Sequence, residues 1–142
     1  MSPLHDRIDT HIHFIPPSYE AALKVVEADP NKPDPYTGYP RPHHFSTADL
    51  FAAMKELDVQ TAVLSVSTPG PPVVGSGPEG RELARKCNDE GMQLVAQGQG
   101  RLKFFGSTPC WTDVQGTIDE IEYCLVTLKC PGITCMSSYH DK

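Results

Sequence analysis

Long apolar runs, clustered cations and paired cysteines are all missing from this chain of 142 residues. No apolar stretch approaches the ~20 residues that a membrane-spanning helix needs, so we expect no membrane segment. Residues 1–6 are polar and contain no apolar core of a secretory signal. A net charge of −6 without a Lys/Arg cluster argues against nucleic acid and anionic membrane surfaces as partners.

Cysteine is present in an odd number, five, and the sequence has no Cys-x-x-Cys pair. Without a visible secretory signal, free thiols in a reducing compartment are expected, and the predicted location is cytoplasmic. Cys124 falls on a predicted helix and Cys135 on a predicted strand, where we expect both to serve as small buried hydrophobic residues.

Proline, by contrast, is abundant: the 14 prolines are about twice the usual share of ~5%. They concentrate in residues 30–42 and 69–78. Proline lacks an amide hydrogen and fixes φ, so neither segment can form a regular helix or a central strand. Both segments are predicted to be ordered loops within one domain that spans residues 1–142.

Apolar periodicity predicts alternating strands and helices along the rest of the chain. The predicted strands cover residues 7–14, 61–66, 102–107 and 132–137. Predicted helices begin at caps on Ser18, on Ser46 or Thr47, and on Asp113, and the longest helix covers residues 79–97. The predicted inward positions of these helices are Leu23, Val26, Leu50, Phe51, Met54, Leu57, Leu83, Cys87, Leu94, Val95, Ile118, Ile121, Leu125 and Leu128. The predicted solvated positions include Asp49, Glu56, Arg81, Arg85, Lys86 and Glu90.

The motif with the clearest chemistry is Asp9-Thr10-His11-Ile12-His13. In a β-strand, side chains alternate between faces with a period of two, so both imidazoles and Asp9 share one face. Two neutral imidazoles on one face can bind a single divalent transition metal. His11 and His13 are therefore the candidate metal ligands, although a hydrogen-bonded pair on a strand is an alternative. The apolar neighbours predict a strand that is buried on both faces.

Alternating strands and helices imply a parallel sheet covered by helices, an α/β fold. Histidines at the carboxyl end of a strand favour an eight-stranded barrel, whose active sites lie at that end. Such a barrel takes ~250 residues, whereas this sequence provides about four strand–helix units. We therefore expect a partial (β/α)₈ TIM barrel, present as a fragment, a truncated product or a splice form. A small self-contained α/β sheet is the alternative.

These residues resemble a known family. Asp9-x-His11-x-His13 resembles the first-strand signature of the amidohydrolase superfamily. Residues 61–70, 84–89, 101–109 and 132–137 resemble successive blocks of the amidohydrolase-related decarboxylases, which include amino-carboxymuconate-semialdehyde and 6-methylsalicylate decarboxylases. The loop at residues 69–75 is most similar to that of the 6-methylsalicylate decarboxylase-like members. The resemblance spans about residues 8–142.

The resemblance implies a metal-dependent decarboxylase, a carboxy-lyase that acts on a small aromatic or enoic carboxylic acid. Its cofactor would be Zn²⁺ or another divalent metal on His11 and His13, which serves as Lewis acid and template. In the family, a further His and an Asp complete the site, and the Asp is also the proton donor. The resemblance places both in regions beyond Lys142, so no catalytic acid or base is assigned to a residue of this chain. A homodimer is one expectation for the full-length form.

The missing ligands have a consequence for activity. A catalytic zinc site generally needs three protein ligands, so the activity is expected to be incomplete in this chain. Two other functions stay open at the level of the sequence. A hydrolase of the same superfamily would cleave a lactone or amide with metal-bound hydroxide. A non-catalytic truncated paralogue would pair its open strand edge with a partner.

Further residues are candidates for substrate binding. Arg41 could hold a substrate carboxylate, since its guanidinium pairs with carboxylates bidentately, or could lie on the surface with His43 and His44. Trp111 could stack on an aromatic substrate or simply pack against the protein. Ser65 and Ser67 end the second strand without the His and acid pattern of a serine nucleophile.

Overall fold

The computed structural model describes residues 6–36 and 45–139. Its strands are β1 (Ile8–Phe14), β2 (Thr61–Val66), β3 (Leu102–Phe104), β4 (Gly106–Ser107) and β5 (Ile133–Thr134). Its α-helices are α1 (Pro17–Ala28), α2 (Thr47–Glu56), α3 (Pro78–Gln97) and α4 (Val114–Glu122). A 3₁₀ turn covers Pro71–Val74, and a π-helical turn, Tyr123–Thr127, extends α4. Within the described ranges, no helix is long and apolar enough to cross a membrane.

All strand pairs are parallel, with the order β1-β2-β3 in one sheet and β4-β5 in the other. Phe105 separates β3 from β4, and its N–H still donates to the carbonyl of Leu64 at 2.9 Å. The next N–H, that of Gly106, donates instead to the carbonyl of Gly132 at 3.0 Å. The predicted strand at 102–107 thus pairs with β2 through its first half and with β5 through its second. The predicted α/β fold, with parallel strands in four successive positions of a partial barrel, is confirmed.

Strand β1 contains an irregularity that the alternation of its residues did not predict. Asp9 pairs with Ala62, but Ile12 pairs with Leu64, so three steps along β1 match two steps along β2. This one-residue bulge breaks the simple period of two. Ile8 is 60% exposed, whereas Phe14 is buried. The prediction that β1 is buried on both faces is therefore wrong.

The core lies between the sheet and α3. Phe14, Leu64, Leu102 and Phe104 bring strand side chains together, and all four are buried. Helix α3 buries Leu83, Cys87 and Leu94 as predicted, whereas Val95 is only half-buried. Burial raises the pKa of the Cys87 thiol to about 12, so this cysteine is an inert core residue.

Close approach of α3 to the sheet depends on Gly91. A Cβ at this position would lie 2.8 Å from three ring atoms of Phe104, a side chain with no exposed surface. Alanine favours the helix by about 1 kcal/mol over glycine, but overpacking a core costs about 1–3 kcal/mol. Because the fully buried ring of Phe104 cannot move aside, the cost takes the upper part of that range, and we expect Gly91→Ala to lower the free energy of unfolding by about 1–2 kcal/mol in urea denaturation. Gln93→Ala, at an exposed position of the same helix, is the control and should change it by less than about 0.5 kcal/mol. A Gly91→Ala chain as stable as the original would contradict this account.

The first two helices begin differently from each other. Helix α1 starts one residue before the predicted cap, with Pro16 at the N-cap and Pro17 at the first helical position, where a missing N–H costs nothing. Ser18 is not the cap; its hydroxyl donates to Glu90 Oε2 at 2.8 Å. Ser46 caps α2 as predicted, because its hydroxyl accepts the N–H of Asp49 at 3.2 Å. Leu57 follows α2 and is 58% exposed, so its predicted inward position is wrong.

Helix α4 packs on α3 through polar and small residues rather than through its predicted apolar face. Asp113 caps it, accepting the N–H of Gly116 at 3.2 Å. Its buried positions include Thr117 and Glu120. Of the predicted inward residues, Ile118 and Leu125 are exposed, whereas Ile121 and Leu128 are half-buried and Leu128 packs against the core. The reason is a set of charged contacts with α3 that Glu120 and Asp113 make.

Arginines of α3 supply these contacts. Arg81 donates to both carboxylate oxygens of Asp113 at 2.6 Å, and this bidentate pair lowers the pKa of the carboxyl. Arg85 binds Glu120, with Nη2 at 2.9 Å from Oε2. Both arginines were predicted to be solvated: Arg81 is exposed as predicted, whereas Arg85 is half-buried. Two ion pairs thus join α3 to α4 and to the residue that caps it.

Three smaller predictions also need correction. The predicted loop at 69–78 contains the 3₁₀ turn, since proline is compatible with the first positions of such a turn. The last predicted strand is shorter, because only Ile133 and Thr134 pair with β4. Cys135 therefore lies outside the strand and is exposed. All five cysteines are free, as expected, and the other four are buried.

Two arginines tie the amino-terminal ends of the parallel strands together. Arg7 Nη1 donates to the carbonyl of Leu57 at 3.0 Å. Arg101 Nη2 donates to the carbonyl of Val59 at 2.9 Å, and its Nε donates to that of Gln60 at 3.2 Å. This edge of the sheet is thus closed by side-chain to backbone hydrogen bonds.

Candidate metal centre at the carboxyl edge of the sheet

The two imidazoles of β1 converge. Nε2 of His11 lies 3.2 Å from Nε2 of His13, and the ring centroids are 5.1 Å apart. Both residues are near the carboxyl end of β1 and both are exposed. The register shift between Asp9 and Ile12 includes His11, and the two imidazoles nevertheless meet on one side of the strand. The spacing of two residues thus brings two nitrogen donors to one point, as the sequence predicts.

Each histidine is held by a different polar side chain. Ser67 Oγ lies 3.0 Å from Nδ1 of His13. Asp9 Oδ1 accepts the backbone N–H of His11 at 2.9 Å, so this carboxylate orients the main chain and does not contact either ring. Nδ1 of His13 thus faces Ser67, and its other ring nitrogen, Nε2, faces His11.

The pair fits a divalent cation as two of its ligands. Bonds of about 2.0–2.1 Å from each nitrogen to one zinc ion can span a nitrogen–nitrogen distance of 3.2 Å. In the metal-free arrangement, one of the two Nε2 atoms must carry a proton that the other accepts, and a cation would replace that proton. Over residues 6–36 and 45–139, no group of three or more His, Cys, Asp or Glu side chains could hold a metal ion. The described residues therefore supply part of a coordination sphere.

A largely apolar cleft of about 430 Å³ opens at the same edge of the sheet. Its walls come from the chain after α1, the chain after β2 and the chain after β5, represented by Pro35, Pro69 and Met136. Thr68 lines the cleft and directly follows Ser67, the partner of His13. The cleft is large enough for a substituted benzene ring and adjoins the segment that supports the histidine pair.

Trp111 follows β4 along the chain and lies beside Tyr139. Its indole Nε1 donates to Thr108 Oγ1 at 2.8 Å, and its ring stacks on Tyr139 with 5.5 Å between centroids and 9° between planes. The side chain is 43% exposed. Tyr139 also lines the cleft, so the tyrosine links Trp111 to it. The predicted role of Trp111 in substrate binding stays a prediction.

Several residues considered in the sequence lie outside the described residues. These are Arg41, the predicted partner of a substrate carboxylate, its neighbours His43 and His44, and Lys142. The expectation that the family's catalytic acid and base lie beyond Lys142 stays a prediction, since the structure describes the chain only as far as residue 139. The two histidines of β1 are therefore the site residues that the structure brings together.

The sequence reasoning missed Ser67 as a partner of histidine and Tyr139 as a partner of tryptophan. A signal for the first was available: in the parallel pairing, His13 lies opposite Ser65, and Ser67 follows two residues later at the end of β2. For Tyr139 no periodic signal exists, because it lies in the irregular chain after β5.

Comparison with known proteins identifies curated relatives that are named as decarboxylases. No protein-family model matches the chain. Decarboxylase macB from Penicillium terrestre is 34% identical over 137 residues, which cover 94% of this chain and 38% of the relative. 6-Methylsalicylic acid decarboxylase from Penicillium expansum is 31% identical over 133 residues, which cover 94% of this chain and 39% of the relative. The chain thus spans less than half the length of these curated relatives.

Solved structures give the same fold. The 5-carboxyvanillate decarboxylase from Novosphingobium aromaticivorans, complexed with manganese and a nitrobenzoic acid, superposes with a TM-score of 0.77 at 20% identity. The match covers 96% of this chain and 43% of that protein. The resemblance to the amidohydrolase-related decarboxylases is therefore confirmed, both along the sequence and in the fold.

Proposed function

We propose that this chain, similar throughout to amidohydrolase-related decarboxylases, forms the metal-binding first part of a decarboxylase barrel acting on a small aromatic carboxylic acid. The observation that carries the proposal is the convergence of His11 and His13 on one point at the carboxyl end of β1. In barrels of this kind, chemistry takes place at that end of the strands. The names of the relatives, which act on 6-methylsalicylic acid and carboxyvanillate, support an aromatic acid as the substrate class.

His11 and His13 would hold a divalent cation through their Nε2 atoms. Zinc suits imidazole ligands, and manganese is the metal recorded in a structural relative, so both are candidates. When bound, the cation supplies Lewis-acid polarisation of the substrate and a fixed point for its carboxylate. The relatives' greater length supports a longer polypeptide, continuing past Lys142, as the source of the remaining ligands and of the proton donor.

The chain's own residues would bind and orient the acid. The apolar cleft at the carboxyl edge would hold the ring and exclude water from it, and Trp111 with Tyr139 would form an aromatic wall beside it. Arg41 is proposed as a partner of the substrate carboxylate. In the reaction, the bond between the ring carbon and the carboxylate carbon breaks, CO₂ leaves, and the ring carbon takes up a proton.

The test measures metal content and CO₂ release together. The chain, and separately the full reading frame of its transcript, is loaded with Zn²⁺ or Mn²⁺ and incubated with 6-methylsalicylate, 2,6-dihydroxybenzoate and 5-carboxyvanillate. We expect bound metal in both proteins, and CO₂ with an equal amount of the decarboxylated arene from the full reading frame. Metal-loaded protein from the full reading frame that releases no CO₂ from any of these acids would contradict the proposal. A product that has gained water without loss of CO₂ would instead indicate a hydrolase of the same superfamily.

A further inference from the structure

We infer that Ser67 is a positioning residue of the metal centre: its hydroxyl fixes the His13 imidazole so that Nε2 faces the cation. The inference rests on the proposed function, because it assigns a role within the same site. The observation is the contact of 3.0 Å between Ser67 Oγ and His13 Nδ1, which joins residues 54 positions apart in the sequence. Nothing in the motif on β1 itself provides a partner for this nitrogen.

The position of Ser67 is fixed by the pairing of β1 with β2. Its backbone N–H donates to the carbonyl of Phe14 at 3.0 Å, the residue next to His13. The serine is only 5% exposed, while the imidazole it contacts is on an exposed part of β1. The hydroxyl is thus a buried, fixed point at the end of β2 that restrains a ring on the neighbouring strand. Such supporting contacts orient metal-binding histidines in proteins generally.

The chemistry of imidazole explains why this contact matters. A neutral ring has one protonated nitrogen and one free lone pair, and the hydrogen bond at one nitrogen selects which is which. When Nδ1–H donates to Ser67 Oγ, the lone pair lies on Nε2, the atom that faces His11. Because the partner is a neutral hydroxyl, it fixes the tautomer and the ring plane without adding negative charge near the cation.

The same contact does not make Ser67 a nucleophile. In a Ser-His-Asp triad, the second nitrogen of the histidine is held by a carboxylate. Here the second nitrogen of His13 meets His11 at 3.2 Å, and the nearby Asp9 carboxylate binds a backbone N–H. The geometry therefore assigns the hydroxyl to support of the ring.

The experiment compares Ser67→Ala with Ser67→Thr, which restores a hydroxyl, and with Ser65→Ala as the matched control. Ser65→Ala removes the same group two residues earlier along the chain, where the Cα is paired with that of His13. Zn²⁺ affinity is measured by competition with a chromophoric chelator. The tautomer of His13 in the metal-free protein is read from ¹⁵N chemical shifts of labelled histidine.

We expect Ser67→Ala to weaken Zn²⁺ binding by about 10–100-fold, the usual effect of losing such a partner, and to lower the share of the Nδ1–H tautomer of His13. Ser67→Thr should recover most of the affinity, and Ser65→Ala should match the unmodified chain. Unchanged affinity and tautomer in Ser67→Ala would overturn the inference while leaving the proposed function intact. An unmodified protein that holds neither Zn²⁺ nor Mn²⁺ would overturn the proposed function, and the inference with it.

Discussion

Replacing His13 by alanine is expected to remove most divalent-metal binding and, in the longer decarboxylase proposed above, to abolish CO₂ release. The change deletes one of two nitrogens that meet at 3.2 Å and leaves a single imidazole at that point. Loss of a supporting partner already costs about 10–100-fold in metal affinity or activity, so loss of a direct ligand should exceed about a hundredfold. His11→Ala should behave in the same way. Metal content by mass spectrometry and turnover on the aromatic acid check both variants.

Thr10→Ala is the control for this prediction. Thr10 lies between Asp9 and His11 on the same strand and is exposed, so its removal tests whether any change in β1 disturbs the site. We expect metal content and turnover of this variant to equal those of the unmodified protein. If either histidine variant kept both its metal and its turnover, the assignment of the metal ligands would be wrong.

The second large expected effect is a loss of stability on replacing Asn88. This side chain has no exposed surface. Its Nδ2 donates to the carbonyl of Ser107 at 2.9 Å and to Glu120 Oε1 at 2.7 Å, and its Oδ1 accepts the N–H of Ser107 at 2.8 Å. One amide thus joins α3, β4 and α4.

Asn88→Ala is expected to lower the free energy of unfolding by about 3–5 kcal/mol. The truncation leaves two backbone groups of Ser107 without their partner, removes a donor from the buried Glu120 carboxylate and opens a cavity. A buried polar group left unpaired costs about 1–3 kcal/mol, and more when it is charged. Asn88→Asp should be no better, because it replaces the donor to Glu120 with a second carboxylate.

Denaturation in urea measures this loss through the midpoint at an unchanged slope. Asn31→Ala is the matched control: it makes the same chemical change at an exposed position. Its effect should stay within about 0.5 kcal/mol. An Asn88→Ala chain with the midpoint of the unmodified protein would show that the buried network does not stabilise the fold.

The amino-acid pattern predicted what depends on local periodicity. The spacing of His11 and His13 predicted their convergence, and the cap residues Ser46 and Asp113 were recognisable from their position before apolar repeats. The burial of α3 followed from its helical spacing for the same reason. In each case the residues that interact lie within a few positions of one another in the sequence, so local spacing is enough to predict the contact or the buried face.

Features that depend on distant partners were not predictable in this way. The outward direction of Ile118 follows from the burial of Glu120, which requires Arg85 and Asn88 on another helix. The support of His13 by Ser67 crosses 54 residues and depends on strand register. The bulge in β1 arises from the mismatch between two strands, and neither strand shows it when considered alone.

The hydrogen bonds that Arg7 and Arg101 donate to backbone carbonyls lie at the opposite edge of the sheet from the histidine pair. These hydrogen bonds therefore stabilise one end of the strands, and the proposed metal site lies at the other end, as in barrels of this architecture generally. In the proposed enzyme, the segments after β2 and β5 could diverge in length and composition and so alter which ring fits the cleft, while the arginine contacts at the opposite edge keep the strands aligned. Exchange of those segments would then change the substrate range of the proposed enzyme without changing the contacts that align its strands.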